Sequence, residues 1–327
     1  EKIEAVAVCF LHSFTYEAHE RRAGAILAEE LPGVAVSLSC EVCPEIREYE
    51  RTSTTIANAY VLPRMEGYLG QLEADLKKEG IAGPLLLMMS SGGITTVDTA
   101  RRYPVRLVES GPAGGAILAR TVAAENDASR AVAFDMGGTT AKLTLLDDLD
   151  LQRSRQFEVA RAYSLVQGSG LPVRIPVSEL VEIGAGGGSI ARLDALGRIQ
   201  VGPDSAGSVP GPACYGRGGT EPTVTDADTA LGRLDPSRFA GGAIPLHRDK
   251  AEAALQALAG PLGTDAQGAA AGVAEIVDET MASAARVHAV EHGKDTAGRA
   301  MVAFGGAGPL HGAEVAHESA LAHGGED

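Results

Sequence analysis

The sequence predicts an α/β fold of mixed sheets flanked by helices, and three observations carry that reading. The chain opens with a strand, helix, strand succession. A hairpin-like run, AVAFDMGGTTAK, spans Ala131–Lys142 and turns on glycines and hydroxyls. From residue 300 a strand feeds a glycine turn and then a helix. A strand, helix, strand unit needs a larger sheet to join, and a hairpin adds antiparallel pairing to it.

The elements follow in chain order. Ile3–Phe10 (IEAVAVCF) reads as a buried strand, Tyr16–Leu31 has helical spacing, and Val34–Ser39 is a second strand after a Leu-Pro-Gly break. After Glu45–Tyr49 and a turn, a long helix is expected from Thr54 towards Lys78, with the polar stretch Arg51–Thr55 at its start and Gly80 and Gly83-Pro84 closing it. Leu85–Met89 reads as another buried strand, ending in the turn Ser90-Ser91-Gly92-Gly93. Val105–Val108 reads as a strand end leading into Glu109–Gly115, with a small-residue helix over Ala116–Ala124. Gly184–Gly188 precedes a hairpin of Ile190–Leu193 and Ile199–Val201. A helix over Gly272–His292 carries apolar residues at Val273, Ile276, Val277, Met281, Ala284 and Val287, and feeds the strand Ala300–Phe304.

Composition narrows the function. The chain has 327 residues, 45% of them hydrophobic, which is ample for two domains or one large one. Its 41 glycines and its lack of tryptophan favour tight turns over aromatic stacking platforms. A net charge of −15 with no basic stripe argues against nucleic-acid binding. The longest apolar stretch, around Pro84–Met89, is too short to span a bilayer, and no signal peptide is visible, so a cytoplasmic protein is expected. Cys9, Cys40, Cys43 and Cys214 do not form a disulfide framework, and Cys40-Glu41-Val42-Cys43 lacks the second pair that a zinc site needs.

The chemistry concentrates at Asp135–Thr140. Gly137 and Gly138 let backbone N–H groups approach phosphoryl oxygens. Thr139 and Thr140 add hydroxyls, and Asp135 suits a Mg²⁺ or its water shell. A plain Gly-Gly hairpin corner is the other reading. Gly305-Gly306-Ala307-Gly308-Pro309, before a helix, is a second place where backbone N–H groups could meet an anionic or nucleotide ligand. Neither a Walker A loop nor a Rossmann fingerprint fits; Gly184-Ala185-Gly186-Gly187-Gly188 comes nearest and lacks the final spacing.

A hairpin-borne D-x-G-G-T, an acidic-glycine segment upstream and a G-G-x-G-P loop downstream resemble the actin-like ATPase superfamily, whose architecture is ribonuclease H-like. Within it, the chain resembles the hydantoinase A/5-oxoprolinase family. The matching stretches are PEIREYERTSTT (Pro44–Thr55), ESGPAGG (Glu109–Gly115), FDMGGTTAK (Phe134–Lys142), EIGAGGGSIA (Glu182–Ala191), GPACYGRGGTEPTVTDAD (Gly211–Asp228) and FGGAGPLHG (Phe304–Gly312).

That resemblance implies ATP-dependent opening of a cyclic amide of hydantoin or 5-oxoproline type through phosphoryl activation of the amide oxygen. It implies ATP and Mg²⁺ as cofactors. It implies Asp135 and Glu109 as metal-shell carboxylates and Gly137, Gly138, Thr139 and Thr140 at the β/γ-phosphates. Gly305, Gly306 and Gly308 are then expected at ribose and adenine. Lys142 is a phosphate partner or the polar face of a strand. Glu182, Asp226, Asp228 and His311 are candidates for the substrate side; the three acids are equally turn acids, and a capping or packing role is open for His311. A small-molecule cyclic amide, a hydantoinase B-type partner subunit and self-association are the expected partners. The alternatives are a subunit of an acetone- or acetophenone-type carboxylase and a non-catalytic nucleotide-binding fragment. The expected division is 1–80 as the end of the family's N-terminal domain, 81–317 as its core domain and 318–327 as a tail outside the family pattern. The family's first phosphate loop would lie upstream of Glu1, so the chain is read as truncated and inactive alone.

Overall fold

The computed structural model describes residues 2–155, 157–159 and 168–321. The chain divides into two compact units, one of residues 1–117 and 152–179, the other of 118–151 and 180–327.

The first unit opens as expected. Ala5–Val8 and Ala35–Leu38 pair in parallel through the helix Ala18–Glu30. The long helix Glu48–Lys78 packs on both strands. It begins six residues before the expected Thr54, so the polar stretch 51–55 is itself helical. Arg51, Thr54, Thr55 and Asn58 recur at helical spacing and are all buried, each with hydrogen-bond partners. Asn58 takes the Val105 N–H on its Oδ1 and donates to Ser37. A polar helix face is stable here because its hydrogen bonds are completed inside the protein.

Two expectations in this unit are corrected. Leu86–Met88 is one arm of a short hairpin with Ile94–Thr96, and Leu86 is 49% exposed, so it is no buried sheet strand. Val105–Val108 is not a strand: Pro104–Leu107 forms a 3-10 turn, begun by Pro104, whose fixed φ suits the first helical position. The following helix runs from Ser110 to Glu125.

The second unit is built on one mixed sheet. Its strands lie in the order Val181–Ile183, Ala141–Asp147, Arg130–Met136, Ala300–Phe304, with Asp150–Leu151 pairing off the second. The central hairpin is antiparallel and the Ala300 strand joins it in parallel. Arg130–Met136 is buried along nearly its whole length, as its unbroken apolar run requires of a strand covered on both faces. Helices Val224–Ala230, Ala266–Glu291 and Gly308–Leu321 contribute to the same core, where Phe134, Leu143 and Met281 are fully buried. Each such side chain contributes roughly 1.5–3 kcal/mol. The hairpin Ser189–Leu193 with Ile199–Ser205 follows the glycine run 184–188, as its pattern predicts. The Gly308 helix continues to Leu321; residues 322–327 of the expected tail lie outside the described residues.

Candidate active site

The site begins at a hairpin turn. Arg130–Met136 and Ala141–Asp147 pair in full register, and the Gly137 N–H donates to the Thr140 carbonyl at 3.0 Å, closing the corner. Gly138 and Thr139 are exposed at its tip and Asp135 is half-buried at its base.

Two further glycine runs converge on this turn. Gly187 and Gly188 donate their N–H groups to the carbonyls of Gly137 and Gly138 at 3.0 and 2.6 Å. A β-carbon on Gly186 would lie 2.7 Å from the Thr139 carbonyl carbon and 2.8 Å from the Thr139 and Thr140 nitrogens, so no other residue fits without moving the turn. From the other side, the Ala307 N–H donates to the Met136 carbonyl at 2.9 Å. Gly305 has φ +87°, and a β-carbon there would meet Asp135 Oδ1 and the Met136 carbonyl, both at 2.6 Å. Only glycine takes that conformation at so close an approach. The turn is therefore held from both flanks by backbone.

Charge is laid out across the sheet beside it. Glu182, Lys142, Asp135 and Phe304 occupy one cross-strand row, by the registers Glu182↔Lys142, Asp135↔Lys142 and Phe304↔Asp135. Lys142 Nζ lies 3.8 Å from Glu182 Oε1, an ion pair whose acid is half exposed. Residues directly opposite in a sheet share a face, so the row alternates acid, base, acid.

The remaining expected residues separate. Gly305 and Gly306 are exposed, whereas Gly308 is buried, with the Phe134 carbonyl oxygen and Met136 nitrogen 3.5 Å from where a β-carbon would sit. Asp226 is buried: its Oδ2 accepts from Thr223 and Ala213 and its Oδ1 from the Cys214 N–H, closing a capping box on the Val224 helix. His311 is buried as well, between Asp228 and Asp278. Neither is open to a substrate in this conformation. Glu109 belongs to the first unit, with φ +60°, and its carbonyl accepts the Ala113 N–H at the start of the Ser110 helix. Gly186, Gly187, Gly188 and Thr225 are the site-building residues the sequence reading left without a role; the short polar spacing EIGAGGGS before a hairpin was the available signal.

All four cysteines are free. Burial pushes the Cys40 thiol up to about 12 and the Cys43 thiol up to about 11, so neither is a nucleophile near neutrality. Among the described residues no helix is long and apolar enough to cross a membrane. None of them form a cluster of three or more His, Cys, Asp or Glu suited to a metal.

A mixed sheet whose central hairpin carries an Asp-x-Gly-Gly-Thr turn, faced by a glycine turn at a helix start, is the architecture of actin-like ATPases. Solved structures of the same shape bear this out. An ATP-dependent caprolactamase from Pseudomonas jessenii superposes with a TM-score of 0.76 at 38% identity, covering 97% of this chain and 45% of that one. A nucleotide-free acetone carboxylase superposes with a TM-score of 0.82 at 28% identity, covering 97% and 44%.

The chain belongs to the hydantoinase/oxoprolinase family, whose model matches residues 51–323. The caprolactamase subunit alpha of P. jessenii is 38% identical over 319 residues, 97% of this chain and 44% of that protein. The 5-oxoprolinase of Saccharomyces cerevisiae is 33% identical over 326 residues, 96% of this chain and 24% of that protein. The chain thus spans less than half the length of these relatives.

Proposed function

We propose that this chain is the nucleotide-holding part of an ATP-dependent enzyme that opens a cyclic amide of hydantoin or 5-oxoproline type. The observation that carries the reading is the approach of Gly305 to Asp135, so close that a β-carbon on the glycine would lie 2.6 Å from Oδ1, which brings the Asp-x-Gly-Gly-Thr turn and the second glycine loop to one carboxylate. Relatives named ATP-dependent caprolactamase and 5-oxoprolinase support it.

In this reading the exposed N–H groups and hydroxyls of Gly138, Thr139 and Thr140 receive the phosphates, and Gly305 and Gly306 line the nucleoside side. Asp135 would hold Mg²⁺, which would supply charge neutralisation at the phosphates. A ring amide is a poor electrophile. Transfer of the γ-phosphoryl group to its oxygen yields ADP and an imidate phosphate; one water adds to the carbon and the ring C–N bond breaks to free the amine, leaving an acyl phosphate that a second water hydrolyses to carboxylate and phosphate. Such transfer depends mainly on positioning and charge stabilisation, which a turn fixed by backbone on both flanks supplies. Lys142 lies beside Asp135 to balance phosphate charge, and half-exposed Glu182 faces the ring. Glu109 is a second catalytic carboxylate. Gly308, Asp226 and His311 support the site from beneath.

A second reading is favoured by one observation: the higher TM-score belongs to acetone carboxylase. There the same phosphoryl transfer would activate bicarbonate or an enol. In both readings the 327 residues need the rest of the enzyme, including a hydantoinase B-type partner subunit, and turn over no substrate alone; self-association is part of the proposal. The deciding experiment is ATP turnover by the full-length protein with its partner, against hydantoins, 5-oxoproline, and bicarbonate with a ketone. Stimulation by a cyclic amide supports the first reading, and stimulation only by bicarbonate with ketone replaces it with the second.

A further inference from the structure

Of the two glycine loops flanking the phosphate turn, 305–308 opens the Gly308 helix and 184–188 is hydrogen-bonded to the start of the Val224 helix, and the two helices meet at one buried histidine. His311 lies in the first turn of the Gly308 helix and is 0% exposed. Its Nδ1 is 2.7 Å from Asp278 Oδ1, on the Ala266 helix, and its Nε2 is 3.2 Å from Asp228 Oδ2, on the Val224 helix. Both carboxylates are buried too. Two ionised acids on the two ring nitrogens are satisfied together only when both nitrogens donate, which makes the ring an imidazolium. Burial alone would pull its pKa down; the hydrogen bonds and charges of Asp228 and Asp278 outweigh it and raise it to about 9.

The charged groups around the ring are few. Arg233 Nη1 is 3.4 Å from Asp228 Oδ1. Burial pushes the Asp278 carboxyl up against the pull of His311. Farther along the Gly308 helix, burial and the charges of Glu279 and Asp278 push Glu318 up.

What those two helices hold at their N-terminal ends gives the arrangement a consequence. One turn before Asp228, Thr225 donates its N–H and its hydroxyl to the Gly187 carbonyl, each at 2.7 Å, and Gly187 in turn donates to Gly137. One turn before His311, the helix begins beside Ala307, whose N–H is fixed to the Met136 carbonyl. Asp228 thus leads to the turn from one flank and His311 from the other.

We propose that His311 is a positioning residue: its paired contacts with Asp228 and Asp278 latch the 184–188 and 305–308 loops into one register around the Gly137–Thr140 turn, and loss of its proton loosens both loops together. The latch is a statement about backbone order; its effect on nucleotide affinity rests on the function proposed above.

The test uses the full-length protein. Amide hydrogen exchange, corrected for intrinsic rate, is followed in peptides covering 184–189 and 304–310 across neutral to alkaline pH for wild type, His311→Gln and Asp278→Asn. At neutral pH, His311→Gln is expected to exchange about tenfold faster in both peptides, a change of about 1.4 kcal/mol in local opening. The wild type is expected to reach that rate as pH passes about 9, while His311→Gln shows no step there. Asp278→Asn removes one of the charges that hold the proton, so its step moves to lower pH. Should His311→Gln fail to fold, the direction of the Asp278→Asn step decides. Loosening of one loop only, a step that persists in His311→Gln, or an unmoved step in Asp278→Asn overturns the latch. A fluorescent ATP analogue is titrated in parallel, with about tenfold weaker binding expected for His311→Gln. If wild type binds no analogue, the proposed function fails while the exchange data still decide the latch.

Discussion

Asp135 and Gly305 approach so closely that a β-carbon on the glycine would sit 2.6 Å from the Asp135 Oδ1 atom. This is where two loops 170 residues apart in sequence become one site. Parallel pairing of Phe304 with Asp135 brings them to the same end of the sheet.

Gly305→Ala is therefore expected to fail twice, through its φ of +87° and through contact with Asp135 and the Met136 carbonyl. A loss of roughly 1–3 kcal/mol in unfolding stability is expected. ADP affinity of the full-length protein should fall at least about tenfold, read by calorimetry and thermal melts.

Gly138→Ala separates ligand from fold. A β-carbon there meets nothing within 4 Å, so stability should change by less than about 0.5 kcal/mol. If phosphates lie against this glycine, ATP affinity falls nonetheless. Unchanged stability with unchanged affinity would remove Gly138 from the site. Gly186→Ala should behave oppositely and destabilise the fold without any ligand, since its β-carbon would press on the Thr139 and Thr140 backbone.

Much of this arrangement was legible in the sequence, because local patterns carried it. The hairpin around Gly137 and the strand, turn and helix after Ala300 announce themselves through apolar runs broken by glycines. What was hidden depends on partners distant in the chain. Arg51–Thr55 looks like a polar lead-in until Ser39, which accepts from Arg51, and the Arg174 backbone N–H, which donates to Thr54, are seen to complete its hydrogen bonds. Gly186 reveals its purpose only against Thr139. The sequence leaves Asp226 and His311 open between the substrate side and a turn, capping or packing role, because the polar partners that bury both come from other segments.

Arg51 tests the buried polar face of the first unit. Its side chain is fully buried and donates to Ser39 Oγ, the Glu45 carbonyl and the Phe10 carbonyl at 3.1, 3.0 and 2.7 Å. Arg51→Met strands those acceptors and should cost about 3 kcal/mol or more in chemical denaturation.

Glu20 gives the same network a pH signature. Burial would raise its carboxyl, but hydrogen bonds from Ser39, the Phe10 and Cys40 N–H groups and Ser13 outweigh that and hold it below its usual 4.5. Stability from this group is present above pH 4.5 and is lost as pH falls through the depressed folded value. Glu20→Gln should flatten the acid limb of the stability curve; an unchanged limb would show that Glu20 does not carry it.

The central claim is that Asp135 and the two glycine loops hold the phosphates and metal of ATP. Its most direct measurement is calorimetric titration of Mg-ATP into the full-length protein, wild type against Asp135→Asn. The account predicts binding by wild type and a loss of affinity of at least about tenfold in the variant, with the fold intact. Equal affinity in both proteins would contradict it.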